Sequence, residues 1–517
     1  MTERFSQATQ MLLNTQLNYD KTINRHKIGL MAGFEQMQFE NNYFTAARTD
    51  YPSTALPQLF AGSSDKQKQS NNGSAGKTSR MNYFGRATYD YAEKYLVQLL
   101  FRYDGSPNFP ENKRWGFFPG ISLGWRISEE SFMSDFSFLD NLKIRASYGE
   151  MGNDRVSAFQ YLTSYQYGSN YVIGNVDVIG LVQSGVPNPN ITWEISKSTN
   201  IGMESTMWNG LLGIELDLFK SKRSNILTKR TVIIPDYTGL TLPDENIGIV
   251  ENKGIELQLS HRKTVNRITY SVKGNFSFAR NKVIFADEAP AAEEYQKATG
   301  LPIGSALYYE AIGIFKSIEE IASYPHLPGT RPGDIKYKNN NSDDVLNDRD
   351  RIRIDKTATP EIIYGINANI KYTSFDLTVL LQGQENASVF LGGYFPMMSY
   401  SLGNFVKWRA EDRWSLTNID ATQPRGSVET SNNNTLASTH WLMDAGFLRL
   451  KNVELGYNLP ESIRQKTGIK DLRVYVSAHN LLILYDHMKA LGFDPETSDY
   501  WYYPQQRTFN IGINLTF

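Results

Sequence analysis

Alternation of apolar and polar residues is the dominant pattern in residues 83–153. Within residues 142–148, apolar side chains occupy every second position: Leu142, Ile144, Ala146 and Tyr148. The positions between them carry Lys143, Arg145 and Ser147. Successive side chains of a β-strand point to opposite faces, so this segment predicts a strand with one apolar and one polar face.

The same period-two pattern recurs along the rest of the chain and predicts an all-β protein. The clearest further segments are residues 211–219, 254–260, 268–278, 362–382, 448–458, 472–479 and 508–517. Counting every such segment gives roughly 14 to 17 strands, and no long helix is predicted. One or two short helices are expected inside the long loops, for example near residues 403–414.

The predicted connections between strands differ greatly in length. Short turns are expected near residues 208–210 and 372–374, whereas long loops are expected near residues 41–80, 286–306, 317–358 and 384–446. Residues 62–79 are rich in Ser, Gly, Asn, Lys and Gln, which is typical of a mobile solvent loop. Soluble domains rarely contain such long loops, but outer-membrane β-barrels combine them with short turns.

The final segment shows the alternation most clearly. Its apolar face carries Phe509, Ile511, Ile513, Leu515 and the terminal Phe517. A terminal aromatic residue on an amphipathic last strand resembles the assembly signal of Gram-negative outer-membrane barrels. The alternative is an ordinary edge strand that ends the chain.

Composition permits a membrane barrel and excludes several other classes. The 517 residues include 30 Tyr and 27 Phe, carry a formal net charge of −1 and contain no cysteine. Disulfides and thiolate metal sites are therefore excluded, and no basic surface for nucleic acid is indicated. The mean hydropathy of −0.43 is compatible with a barrel, because outward apolar residues alternate with inward polar ones.

The N-terminus lacks a basic segment followed by an apolar one, so no secretory signal peptide is present in residues 1–30. Two interpretations follow: the protein is cytoplasmic, or this chain is the later part of a longer exported one.

Several motifs resemble those of a known family of transporters. They are residues 102–109, 116–132, 142–153, 251–256, 333–337, 364–367, 447–460 and 492–496, followed by the closing strand. Their order and spacing from residue 83 to residue 517 resemble the barrel of SusC/RagA-type TonB-dependent transporters of Bacteroidota.

This resemblance implies a transmembrane antiparallel β-barrel in the outer membrane of a Gram-negative bacterium, in contact with lipid. It implies import of an oligosaccharide or peptide, a SusD-like surface lipoprotein as partner, and dimers of transporter–lipoprotein pairs. Energy would come from TonB–ExbB–ExbD through a missing N-terminal region. Residues 1–517 are interpreted as one incomplete barrel domain without the plug, because barrels of this class have ~22 strands.

One loop has the spacing of a calcium site. Positions 1, 3, 5, 7, 9 and 12 of that spacing fall on Asn339, Asn341, Asp343, Val345, Asn347 and Asp350, Val345 contributing its carbonyl. Position 1 is Asn rather than Asp, and position 6 is Asp344 where a glycine is expected. The alternative is a solvated loop held by Asx turns. No other cofactor is predicted.

No catalytic residues can be assigned. The six histidines form no close sequence pair, and no nucleophile elbow or phosphate-binding loop occurs. Aromatic residues in two loops are candidates for stacking on a ligand or for packing between loops: Tyr394, Phe395, Tyr400, Trp408, Trp414, Trp441 and residues 500–503. Trp125 and Tyr148 are expected in the aromatic girdles at the membrane interfaces.

Two further classes of protein compete with the transporter. A non-enzymatic glycan-binding or adhesion protein made of β-sandwiches needs repeats of about 100 residues, and none is evident. A secreted carbohydrate-active enzyme needs a pair of carboxylates in acid and base roles, and none can be singled out. The expectation is therefore a transporter without enzymatic activity.

Overall fold

A computed structural model describes residues 1–168, 170–183, 185–230, 242–288, 293–392, 407–426, 433–463, 469–497, 503 and 505–516. The chain divides into two compact units. The first comprises residues 1–125, 145–199 and 223–248, and the second comprises residues 126–144, 200–222 and 249–517.

Fifteen strands of the described residues form one antiparallel sheet, in which each strand pairs with the next of them along the chain. They are β1 Thr2–Ile23, β2 His26–Arg48, β3 Gln69–Tyr91, β4 Tyr95–Gly105, β5 Trp115–Arg126, β6 Leu139–Asn153, β11 Glu194–Met207, β12 Leu212–Thr228, β13 Glu245–Val265, β14 Ile268–Phe285, β19 Ile362–Tyr372, β20 Phe375–Glu385, β23 Phe447–Asn458, β24 Asp471–Asp486 and β25 Thr508–Thr516. The all-β prediction and the predicted number of strands are confirmed.

Short elements occupy the longer connections. They are β7 Tyr165–Tyr167, β8 Tyr171–Ile173, β9 Val176–Val178, β10 Leu181–Gln183, β15 Leu307–Tyr308, β16 Ala311–Ile314, β17 Ile335–Tyr337, β18 Ile352–Arg353, β21 Ser388–Phe390, β22 Leu442–Asp444, and helices α1 Ile318–Ala322 and α2 Lys407–Glu411. The second helix confirms the prediction near residues 403–414, of which residues 403–406 lie outside the described part. None of the described helices is long and apolar enough to span a membrane.

Most connections at one end of the sheet are tight turns, the exceptions being residues 127–138 and 459–470. The β1–β2 ladder runs from Thr2↔Ala47 to Ile23↔His26, which leaves only residues 24 and 25 for the turn. Asn24 adopts a φ of 53°, and Asn266 and Thr373 adopt φ angles of 52° in the turns after β13 and β19. Asparagine tolerates this left-handed conformation better than most residues, which favours a reversal at Asn24 and Asn266. Thr373 is β-branched and gains no such preference.

The longer connections lie at the opposite end of the sheet, because every second connection of an antiparallel meander shares an end. They are residues 49–68, 106–114, 154–193, 229–244, 286–361, 386–446 and 487–507. The predicted loops near 286–306 and 317–358 belong to one connection that contains β15–β18. The predicted loop near 384–446 overlaps the connection of residues 386–446, which contains β21 and β22. Residues 393–406 and 427–432 of it lie outside the described residues.

The prediction of a loop over residues 41–80 is wrong at both ends. Strand β2 continues to Arg48 and β3 begins at Gln69, with Arg48 paired to Gln69. Residues 69–79 form a strand although almost all of them are polar, because the ladder is held by backbone hydrogen bonds that need no apolar side chain. The true connection is residues 49–68.

In strands such as β5 and β6 the apolar face is more exposed than the polar face, which is the reverse of a soluble protein. In β6, Ile144 is 40% exposed and Tyr148 is 38% exposed, whereas the Lys143 side chain is 25% exposed. In β25 the exposed fraction reaches 82% at Ile511. The expected alternation is confirmed in residues 143–148 of β6, whereas both faces of β25 are exposed. Phe517 lies outside the described residues. Only an apolar solvent makes such a surface favourable.

Buried apolar residues form small clusters near the longer connections. In the first unit Phe109, Phe118, Ile191 and Trp193 pack together. In the second unit one cluster contains Tyr309, Ile335, Tyr337, Leu346 and Trp441. A third contains Ala387, Leu391, Ala445 and Met488. These clusters fix the long connections to the strand ends.

Candidate functional site

Polar side chains on and beside the strands form charged pairs. Arg80 of β3 donates two hydrogen bonds to Asp154, with Nε–Oδ2 and Nη2–Oδ1 distances of 2.8 and 2.6 Å. Lys143 of β6 lies 3.4 Å from a carboxylate oxygen of Glu204 in β11. Bidentate arginine–carboxylate pairs hold a fixed geometry. The strands therefore present an ordered, charged face opposite the exposed apolar one.

Arg449 in β23 forms two buried ion pairs. Its side chain is 2% exposed and contacts Asp494 at 2.7 Å and Glu496 at 2.6 Å. Lys451, two residues further along the same face, lies 2.8 Å from Glu496. These charges attach residues 494–496, which follow β24, to the polar face of β23.

A second buried polar group lies in the long connections. The Asp334 carboxylate is 1% exposed and accepts hydrogen bonds from Arg425 Nε at 2.7 Å and Asn434 Nδ2 at 2.8 Å. The Trp441 indole donates to the Asn434 carbonyl at 2.9 Å. Asn434 thus joins the ionic pair to the apolar cluster around Trp441.

Trp441 was predicted either to stack on a ligand or to pack between loops, and its burial decides between these roles. Its side chain is 0% exposed, and the Arg409 guanidinium lies 4.9 Å from the indole centroid. Trp441 therefore packs between loops and is not available to stack on a ligand. Tyr394, Phe395, Tyr400 and residues 500–502 lie outside the described residues. For Trp408, Trp414 and Tyr503, a ligand contact stays a prediction.

The candidate calcium residues lie together in the connection between β17 and β18. The side-chain oxygen of Asn339 accepts a hydrogen bond from Ser342 N, that of Asn341 from Asp343 N, and that of Asp343 from Val345 N. Asn347 accepts from Arg349 N. These are Asx-type contacts, in which a side chain bonds the backbone two or three residues ahead.

Asp350, the last candidate, is fully buried. One of its carboxylate oxygens accepts from Asn340 N at 2.9 Å and the other from Asn347 N at 2.8 Å. Asp344, at the position where a glycine is expected, adopts a φ of 59°, which is strained for a residue with a Cβ. Calcium binding by this loop stays a prediction, which calorimetric titration with Ca²⁺ would test against Asp343→Asn.

His440 predicts a pH dependence in the loop cluster. Burial, with the Arg409 guanidinium nearby, lowers the pKa of His440 to about 4. An unfolded histidine titrates at about 6.5, so the unfolded state binds more protons between these two pH values. The stability of the cluster should therefore be complete above pH ~6.5 and fall as the pH is lowered towards ~4.

Hydrogen exchange of residues 433–445 at pH 7 and pH 5 measures this effect. In the wild type, protection from hydrogen exchange should be much greater at pH 7 than at pH 5. This difference should be smaller in His440→Gln. An equal pH dependence in both proteins would assign the effect to another group.

Sequence reasoning missed the partners of Arg449, although both segments had been noted as motifs. Residues 447–460 contribute two basic side chains at Arg449 and Lys451, and residues 492–496 contribute two acidic ones at Asp494 and Glu496. The equal i, i+2 spacing of opposite charges was the available signal.

Antiparallel strands with an exposed apolar face, a charged opposite face and long connections at one end define an outer-membrane type of β-barrel. Comparison with known proteins agrees. The family described as "TonB dependent receptor-like, beta-barrel" matches residues 2–311 of this chain. The chain belongs to this family, and it is a β-barrel protein of the Gram-negative outer membrane.

Relatives place the chain among SusC/RagA-type receptors. TonB-dependent receptor P3 of Formosa agariphila is 30% identical, with 100% of this chain and 53% of the relative covered. TonB-dependent receptor SusC of Bacteroides thetaiotaomicron is 24% identical, with 98% and 50% covered. The chain spans about half the length of these curated relatives.

A solved structure of the RagAB peptide transporter has a similar fold. The TM-score is 0.81 at 22% sequence identity, and the alignment covers 100% of this chain and 56% of that chain. The RagAB peptide importer in its open-open state gives a TM-score of 0.82 at 22% identity, with 100% and 55% covered. The predicted fold class is thereby confirmed.

Proposed function

We propose that this chain forms the barrel wall of an outer-membrane importer for oligosaccharides or peptides. The observation that supports the proposal most strongly is the contrast between the two strand faces. The exposed apolar face suits lipid, and the opposite face carries ordered ion pairs such as Arg80–Asp154 and Lys143–Glu204. A charged inner face suits a hydrated path for a polar cargo.

The cargo class and the partner rest on the relatives. The RagAB structures are described as those of a peptide transporter, which supports a peptide as cargo. The likeness to SusC supports a SusD-like surface lipoprotein as partner. The long connections at one end of the sheet offer the surface on which such a partner would dock, and dimers of transporter–lipoprotein pairs are part of this proposal.

Energy is proposed to come from the TonB–ExbB–ExbD machinery, acting through an N-terminal region beyond these 517 residues. The transporter is proposed to move its cargo without covalent chemistry. The adhesion protein and the carbohydrate-active enzyme gain no support from any described cluster of residues.

Gene deletion in the source bacterium tests the proposal. The deletion strain should lose growth on one class of cargo, either oligosaccharides or peptides, supplied as sole nutrient. Restoring the gene should restore uptake only when TonB is intact, and affinity purification should recover a surface lipoprotein identified by mass spectrometry. Unchanged uptake of both cargo classes after deletion would contradict the proposal.

A further inference from the structure

Three metal-ligating side chains converge where three segments of the second unit meet. Glu385 is the last residue of β20, Asp444 is the last residue of β22, and His487 directly follows β24. His487 Nε2 lies 4.0 Å from Glu385 Oε2 and 3.9 Å from Asp444 Oδ1. All three ligand atoms lie within 4.8 Å of one another, close enough for one ion to contact each of them.

The backbone beside these side chains is shaped to let them approach. A Cβ added at Gly446 would lie 2.3 Å from Glu385 Oε2, 3.0 Å from His487 Cδ2 and 3.1 Å from Asp444 Oδ1. Any larger residue would therefore enter the space into which all three ligands point. Gly446 N also donates a hydrogen bond to Asp444 Oδ1 at 2.8 Å, which orients that carboxylate.

Contacts within its own segment also hold each of the three metal-ligating side chains. Asp444 lies in the short β21–β22 ladder opposite Ser388. The His487 ring packs edge-on against Tyr485, with centroids 4.8 Å apart. The Tyr485 hydroxyl contacts His487 Nε2, so an ion that binds this nitrogen must displace the hydroxyl from it. Gln384, next to Glu385, donates to the Ala445 carbonyl at 3.1 Å. The chain therefore brings the three groups together before any ion arrives.

The donor set selects the kind of ion. Calcium and magnesium prefer oxygen ligands alone, whereas an imidazole nitrogen combined with carboxylates suits zinc and similar transition metals. Three protein ligands leave a fourth tetrahedral position for water or another ligand. Two carboxylates also balance the charge of a divalent cation.

We propose that Glu385, Asp444 and His487 form a binding site for a divalent transition metal, with Zn²⁺ as the ion that fits best. The site joins the end of β20 and residues 386–446 to the end of β24. Its role is to fasten a long connection to the strand ends, which differs from transport and does not depend on the cargo.

Isothermal titration with ZnCl₂ tests the proposal on the full chain, purified from outer membranes in detergent and stripped with EDTA. The wild type should bind one more Zn²⁺ equivalent than His487→Ala, or bind it at least about tenfold more tightly. His326→Ala is the matched control, because His326 is another exposed histidine, and its Nδ1 contacts the Tyr324 carbonyl of its own loop. It should bind Zn²⁺ like the wild type.

Thermal unfolding gives a second readout, because an ion that binds only the folded state raises its melting temperature. Zn²⁺ should raise the melting temperature of the wild type and of His326→Ala, and not that of the double variant Glu385→Gln/Asp444→Asn. The double variant keeps the side-chain shapes, so it decides the matter if His487→Ala fails to fold. Equal Zn²⁺ binding by the wild type and the double variant, or no Zn²⁺ binding by the wild type, would overturn the proposal.

Discussion

Replacement of Arg449 by alanine should destabilise the strand ends around residues 488–497 by about 3–5 kcal/mol. Arg449 is 1% exposed and lies between the carboxylates of Asp494 and Glu496. Removing the guanidinium leaves two carboxylates in a largely dry environment. Lys451, which contacts Glu496, then remains as their positively charged neighbour. The unpaired charge, rather than the lost attraction, accounts for most of the expected cost.

Urea unfolding in detergent micelles measures the free energy, and limited proteolysis after residue 487 detects local release. Arg349→Ala is the control, because this arginine is exposed and pairs with Glu293 on the surface. Surface pairs contribute little, so the control should stay close to the wild type. If both variants behave alike, the Arg449 network does not hold this segment.

Ile144→Arg should be the second most damaging change, with a cost of roughly 2–4 kcal/mol near the middle of the membrane. Ile144 is 40% exposed on the apolar face of β6, so the new guanidinium would enter hydrocarbon. Arg145→Gln, one residue further on, changes the polar face and should cost much less. Folding titrations into lipid vesicles measure both changes, and equal tolerance would contradict the assignment of faces.

The alternation of apolar and polar side chains could be predicted from the sequence, because each face of a strand lies in one environment along its length. Apolar residues alternate with polar ones in residues 142–148 of β6 and throughout β25, so face and strand were both evident. Residues 69–79 gave no such signal, because neither face of that part of β3 is apolar. Its pairing with β2 is visible only once the 23-residue β2 strand is known to reach Arg48.

The side-chain clusters were less predictable than the strands. Glu385, Asp444 and His487 are far apart in sequence, and only the return of the chain to the same end of the sheet brings them together. The six histidines form no close pair in the sequence, and a site with ligands from three segments leaves no local motif. The loop at residues 339–350 was found from its spacing alone, because all its members lie on one continuous segment.

Single-cysteine spin labelling tests the central claim, that the exposed apolar face contacts lipid. The chain has no native cysteine, so labels can be placed one at a time at residues 142–148 in the protein reconstituted in lipid vesicles. Accessibility to oxygen should peak at the positions of Ile144 and Ala146, and accessibility to a water-soluble nickel chelate should peak at those of Lys143 and Arg145. Nickel accessibility at every position, without a period of two, would contradict a lipid-facing strand.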